Sequence, residues 1–295
     1  MINLFRKYKL FIGKCKDFIF SRGAVVNTFR VALVQIDTQY DKETNLEKIS
    51  GMIDEAAEKH ADFIALPEFV NYIGGRRGFY ENAESIPEGI TSELFSRKAR
   101  EHHLWICGGS IAERIPEDDS HVYNTSAVFS PKGELTAMYR KIHLADTSTL
   151  TESNTIAGGS SVVTFNTPFC RMGLAVCYDL RFPEIFRAMA LRGAEAVIIP
   201  SEFNMLTGKD HWEPLLRARA IENTCCIIAP DQIGTKRNMT ANGHSMAVDA
   251  WGNVIAQAGE KECVIIAEID TDCIKAVRRK MPSLQHRRPE VYGEY

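Results

Sequence analysis

Val31-Ala32-Leu33-Val34-Gln35-Ile36 and Phe63-Ile64-Ala65-Leu66-Pro67-Glu68 are two apolar runs of strand length. Between them Leu46, Ile49, Met52, Ile53, Ala56 and Ala57 recur at the spacing of one helical face. Strand, helix, strand in that order predicts parallel pairing through a crossover helix, with functional groups collecting where strands end. Glu68 stands at such an end, directly after the proline that stops the second run.

The same alternation continues to the C-terminus. A helix is expected around Ser92–His102 and a strand at Leu104–Gly109, followed by the paired strands Val122–Ser130 and Leu135–Tyr139 about the turn Pro131-Lys132-Gly133. Lys141 follows the second of these. After a polar loop over 146–159 come strands near Val162–Phe165 and Met172–Val176, then Cys177, then a helix over Pro183–Arg192. The last third reads as strand Ala196–Ile199, helix Trp212–Asn223, strands Cys226–Ala229, Ser245–Asp249, Val254–Gln257 and Val264–Ile269, and helix Ile274–Lys280. No linker or repeat interrupts it, so residues 29–295 form one α/β domain. Residues 1–28 are basic and interrupted by lysines, too broken for a membrane span or a secretory signal. They read as an extension ahead of the domain, with a weak organelle-targeting or membrane-surface helix as the other reading.

Composition narrows the function. A chain of 295 residues with 45% hydrophobic side chains can bury one large core, and a net charge of −3 without a basic stripe argues against nucleic acid. The eight cysteines form no C-x-x-C pair and several lie in strand-like runs, a pattern of reduced thiols in a cytoplasmic protein. Histidines lack ligand spacing, so no metal is expected.

Three residues carry chemistry. A cysteine at a strand-to-helix turn has its sulfur lifted out of the sheet, near the N–H groups of the helix start, which suits a nucleophile. Beside Gly173-Leu174-Ala175-Val176 the same Cys177 also reads as a packed core thiol. Glu68 and Lys141, each at a strand end, can converge on that sulfur as a proton acceptor and an oxyanion-binding cation, or form a solvated ion pair. Position alone leaves both readings open.

The motifs Leu66-Pro67-Glu68-Phe69, Tyr139-Arg140-Lys141-Ile142-His143-Leu144 and Gly173-Leu174-Ala175-Val176-Cys177-Tyr178-Asp179-Leu180-Arg181-Phe182-Pro183-Glu184 resemble, in this order, the carbon-nitrogen hydrolases of the nitrilase superfamily. The resemblance extends over about residues 29–292 and includes His211-Trp212-Glu213 through Asn223 and Gly243-His244-Ser245. It implies a four-layer α-β-β-α sandwich of the nitrilase type and a Glu68-Lys141-Cys177 triad that cleaves a linear amide, nitrile or carbamoyl group through a thioester. It further implies no cofactor, the Tyr178 N–H as second oxyanion donor, Glu152 as a glutamate orienting the lysine, and a homodimer packed through the helices after Cys177 and around Trp212. The Cys177-Tyr178-Asp179-Leu180-Arg181-Phe182 stretch is similar to the branch of omega-amidases and deaminated glutathione amidases, which points to a small carboxylated amide.

In that setting Arg181 is a candidate partner for a substrate carboxylate, or a brace for the elbow through Asp179 or Glu184. Phe203, Asn204 and Thr207 are candidates for the acyl pocket. His143 as the base of a papain-like pair is the less economical reading, because it already belongs to the lysine motif. The rival functions are an N-carbamoyl or other linear-amide hydrolase with the same triad, and a catalytically silent scaffold; a lipid-modifying acyltransferase would need membrane spans that the sequence lacks.

Overall fold

The computed structural model describes residues 28–148, 150–236 and 239–293. The expected extension therefore lies, except for Thr28, outside the described residues, as does Cys15.

In chain order the first half builds β1 (Thr28–Gln35), α1 (Lys42–Glu58), β2 (Phe63–Ala65), α2 (Arg76–Glu81), α3 (Ile90–His102), β3 (Trp105–Cys107), β4 (Ile111–Arg114), β5 (Val122–Phe129), β6 (Leu135–Arg140) and β7 (Ile156–Ala157). The second half adds β8 (Val163–Asn166), β9 (Arg171–Leu174), α4 (Pro183–Leu191), β10 (Ala196–Ile198), α5 (Met205–Asn223), β11 (Cys226–Ala229), β12 (Ile233–Thr235), β13 (Thr240–Asn242), β14 (Met246–Val248), β15 (Val254–Gln257), β16 (Cys263–Asp270), α6 (Thr271–Lys280) and α7 (Pro289–Tyr292). One sheet runs β16-β1-β2-β3-β5-β4, with β6 and β7 also paired to β5; the other runs β15-β14-β11-β10-β9-β8. As the alternation requires, β1, β2 and β3 are parallel, as are β9, β10 and β11.

Side-chain alternation in β1 explains the layering. Val31 and Leu33 point into the core shared with the second sheet, where Met172, Leu174 and Ile198 meet them. Ala32, Val34 and Ile36 point the other way, onto Ile49, Met52 and Ile53 of α1 and Phe95 of α3. The outer face of the second sheet is covered by Ile185, Phe186 and Met189 of α4 and Trp212, Leu216 and Ala220 of α5. Phe29 stacks on Phe169 with ring centroids 4.7 Å apart, fastening the start of β1 to the turn between β8 and β9. The result is helices, sheet, sheet, helices. Among the described residues no helix is long and apolar enough to cross a membrane.

Two differences from the sequence expectation matter for the site. Helix α5 begins at Met205 rather than Trp212, because Asn204 caps it by accepting from the Leu206 N–H at 2.9 Å and because the helix tolerates Pro214 inside it. The polar loop over 146–159 is also not structureless: a 3-10 turn at Glu152–Asn154 and the short strand β7 tie it to β5.

Gly109 shows how tightly the end of β2 is held. It adopts φ +63°, and a Cβ there would lie 2.0 Å from the Pro67 carbonyl oxygen, immediately before Glu68. Gly109→Ala is expected to lower unfolding stability by about 2 kcal/mol or more, from the left-handed backbone plus that contact. Urea unfolding of the two proteins measures it, and an unchanged midpoint would mean that the segment yields freely.

Candidate active site

Glu68, Lys141 and Cys177 come from the ends of β2, β6 and β9, and the two facing sheets bring these ends to one cavity of about 1100 Å³. The lysine Nζ lies 3.0 Å from Glu68 Oε1 and 2.9 Å from each carboxylate oxygen of Glu152. It is fully enclosed, with 2% of its side chain exposed. Burial opposes its charge, but Glu152 and Glu68 outweigh that and hold the ammonium protonated well above the ordinary range. Glu152 is itself fixed, since one of its oxygens accepts from the Ala145 N–H at 2.7 Å.

Glu68 is held on every side. Oε1 accepts from the Asn124 side-chain amide at 2.8 Å as well as from Lys141, and Oε2 accepts from the Glu202 N–H at 2.8 Å. Its backbone N–H donates to the Ser201 carbonyl and its own carbonyl accepts from Gln232, so the second sheet grips a residue delivered by the first.

Cys177 opens a 3-10 turn that runs to Arg181 between β9 and α4. Its φ of +45° is a conformation non-glycine residues seldom adopt, and it turns the sulfur toward the cavity. The thiol donates to the Glu202 carbonyl at 3.7 Å. Burial and then the charge of Glu68 push its pKa well above the usual thiol value, with Lys141 pulling only partly the other way. The resting group is thus a thiol, and it needs a base to react. Among the described residues no acceptor takes up the Tyr178 N–H next to it.

The comparison with known proteins gives the family of the chain that carries this site. The carbon-nitrogen hydrolase family model covers residues 30–279. The chain belongs to the carbon-nitrogen hydrolase family. It is 39% identical to omega-amidase NIT2 of Homo sapiens over 274 residues, 91% of this chain and 98% of that protein. Against omega-amidase NIT2-B of Xenopus laevis the identity is 42% over 270 residues, 90% and 96% of the two chains. The solved NitFhit protein of C. elegans superposes with a TM-score of 0.86 at 35% identity, covering 91% of this chain and 67% of that one. Nit3 of Saccharomyces cerevisiae, a member of branch 10 of the nitrilase superfamily, gives 0.81 at 33% identity, covering 89% and 97%.

In this hydrolase Arg181 does not brace the elbow. Asp179 is engaged elsewhere, and Arg181 instead meets His211 Nδ1 at 3.1 Å and donates to Thr207 Oγ1 at 3.3 Å, while its guanidinium lies 5.6 Å from the Tyr178 ring centroid and 5.1 Å from that of Phe203. Among the described residues it has no ion-pair partner. Tyr178, Phe203, Asn204 and Thr207 all line the cavity with it, although Asn204 spends its side-chain oxygen on capping α5.

His143 does not face the thiol as a base. Its Nδ1–H donates to Asp179 at 2.6 Å and its ring stacks on Phe182, centroids 3.7 Å apart. Asp179 is the hub of this region: fully buried, it also accepts from the Tyr139 hydroxyl at 2.6 Å, the Val176 N–H at 2.8 Å and the His143 N–H at 3.1 Å. It thereby welds the end of β6, which carries Lys141, to the end of β9, which carries Cys177.

Sequence reading missed Asn124, Glu202 and Asp231. Asn124 is an asparagine inside a buried strand, a placement that calls for a buried partner and was a usable signal. Asp231 is fully buried behind Phe203, whose N–H it accepts at 2.9 Å; burial raises its pKa well above the carboxylate range, with Glu68 and Glu202 adding to the effect.

Replacing the hub tests the weld. Asp179→Asn puts an N–H₂ group against donors and is expected to cost about 3 kcal/mol of stability. It should also lower kcat more than it raises KM, because it displaces lysine and cysteine relative to each other. Chemical unfolding together with amide-hydrolysis kinetics reads both; a variant as stable and as active as the parent would remove Asp179 from this role.

Proposed function

We propose that the protein is a cysteine-dependent amidase that hydrolyses small carboxylated amides, as an omega-amidase does, with Glu68, Lys141 and Cys177 as the catalytic groups and Glu152 orienting the lysine. The observation that carries this reading is the convergence of an enclosed Glu68-Lys141-Glu152 cluster on a protonated thiol whose neighbouring N–H is free. The carboxylate preference rests on Arg181, a cation in the pocket wall with no carboxylate partner among the described residues.

In this reading each group has one task. Glu68 takes the thiol proton as sulfur attacks the amide carbon, forming the C–S bond. The oxygen of the tetrahedral intermediate takes up negative charge beside Lys141 Nζ and the Tyr178 N–H. Glu68 then returns the proton to nitrogen, the C–N bond breaks, and ammonia leaves. Water, deprotonated by the same carboxylate, attacks the thioester and frees the acid and the thiol. Lys141 stays protonated throughout, so it acts as a fixed charge and exchanges no proton.

Beyond the monomer, exposed Leu191 on α4 and Leu206 and Ile221 on α5 suit a homodimer packed through these two helices, and the free buried thiols Cys107, Cys225 and Cys226 suit a reducing cytoplasm.

Cys177→Ala is expected to abolish ammonia release with the fold retained. Lys141→Ala should lose on the order of 10²–10³ in kcat as a missing oxyanion partner, and more if Glu68 and Glu152 are left repelling each other. Steady-state kinetics on a 2-oxo acid monoamide settles this, and residual turnover in Cys177→Ala would exclude sulfur as the nucleophile. Arg181→Ala should raise KM about ten- to a hundredfold for carboxylated amides and little for an uncharged amide of the same length. Equal increases for both would make Arg181 a wall residue, and preference for an N-carbamoyl amino acid would shift the substrate class while keeping the triad.

A further inference from the structure

The scheme above leaves one carboxyl group of the cavity unused. Glu202 follows β10 and is locked by its backbone between the base and the nucleophile: its N–H donates to Glu68 Oε2 and its carbonyl accepts from the Cys177 thiol. Its side chain lines the cavity, and among the described residues no protein group hydrogen-bonds its carboxyl oxygens. The charged and titratable groups around it are Glu68 from the end of β2, Lys141 after β6, Glu152 from the 3-10 turn, Asp231 after β11 and Lys236 after β12, with Cys177 and Arg181 on the shared wall. Burial, and then the charge of Glu68, push its pKa up to about 8 against the pull of Lys236 and Lys141. Through neutral pH it is a carboxylic acid, able to donate a hydrogen bond, and above that range it becomes an anion beside the reacting centre.

We propose that Glu202 is the specificity residue that reads substrate charge: neutral, it donates to an oxygen of an anionic substrate, and ionised, it repels such substrates. The inference rests on the amidase reading of the same cavity. It separates two functions that Arg181 alone cannot provide. A guanidinium stays charged at every relevant pH, so it attracts a carboxylate uniformly. Lys141 is likewise held protonated above the range in question. A fall in affinity for anionic ligands between pH 7 and 9.5 then reports the ionisation of Glu202, while an uncharged amide is indifferent to it.

The sign follows from the raised pKa. Below about 8 the group is protonated and the anion is accepted; as pH climbs through that value the anion is lost. The test is calorimetric binding of a 2-oxo dicarboxylate to the Cys177→Ala protein at pH 7.0 and 9.5, with and without Glu202→Gln. Kd should weaken about tenfold across this interval in the parent and less than twofold in Glu202→Gln, the size expected for a new like charge at a partly buried site. A flat Kd in the parent, the same weakening in Glu202→Gln, or no binding at either pH overturns the proposal. Should Glu202→Gln fail to fold, the carboxyl resonances of the glutamate-¹³C-labelled parent decide: one must titrate with a midpoint near 8, and none doing so overturns it. Ammonia release by the protein with Cys177 intact, assayed in parallel, keeps the two readings apart. A Glu202-dependent pH step without turnover refutes the amidase and keeps the charge reader, whereas turnover with pH-independent binding does the reverse.

Discussion

Everything at the site is arranged around one enclosed ammonium held between two carboxylates. Taking Lys141, Glu68 and Glu152 out of water costs several kcal/mol per ion, and their mutual attraction offsets this only if each charge is met at hydrogen-bond distance from more than one side. The structure meets that demand with 2.9 and 3.0 Å contacts to the lysine, an Asn124 amide and a Glu202 N–H on Glu68, and an Ala145 N–H on Glu152. None of these donors is local in sequence to Glu68: Asn124 and Glu202 lie 56 and 134 residues away. The cluster therefore exists only when both sheets are in place, and chemistry and tertiary structure are one constraint here.

Asp179 carries that constraint to the nucleophile. Through the Tyr139 hydroxyl and the backbone and ring of His143 it controls where the lysine segment lies, and through the Val176 N–H it controls where the elbow begins. Burial, with the Asp179 charge added, raises the Tyr139 phenol's pKa, so this hydroxyl remains a donor at any working pH. The histidine that a papain-like scheme would recruit is used up in this weld. That leaves Glu68 as the carboxylate whose charge and hydrogen bond act on the thiol, although a histidine stands nearby.

Position at the ends of apolar strand runs singled out Glu68, Lys141 and the turn at Cys177 but left an ion pair and a packed thiol open, and it was the resemblance of the three motifs that joined them into one site. Glu152 was reached through family resemblance, and the structure puts it on the lysine. The parallel order of the strands was legible directly, since the helical periods between them force crossovers. What stayed hidden depends on contacts between distant segments. Glu202 reads as an ordinary surface acid after Pro200-Ser201, and only the packing of β10 against the Glu68 loop encloses it. The start of α5 was misjudged because Gly208 and Pro214 both argue against a helix, yet Gly208 is there for space: a Cβ on it would lie 2.2 Å from the Asn242 side-chain oxygen. Tertiary crowding, not propensity, chose that residue.

The pocket's polarity then follows from which charges are already satisfied. Lys141 is shared between Glu68 and Glu152, so the cluster holds two carboxylates for one ammonium and leaves no spare positive charge for an anionic ligand. Arg181 faces only a hydroxyl, an imidazole and two aromatic rings, none of which can cancel its charge. It is the end of the cavity where an anion gains most, while the hydroxyl, imidazole and rings fix the guanidinium without competing for it. Under the proposed reading, a substrate with a carboxylate at one end and an amide at the other is oriented before any chemistry begins: the anion goes to the unpaired cation, and the neutral amide is left to the Glu68-Lys141-Glu152 cluster, where charge appears only in the transition state. Orientation by unequal compensation needs no moving part, and it places binding energy at the end of the substrate that does not react.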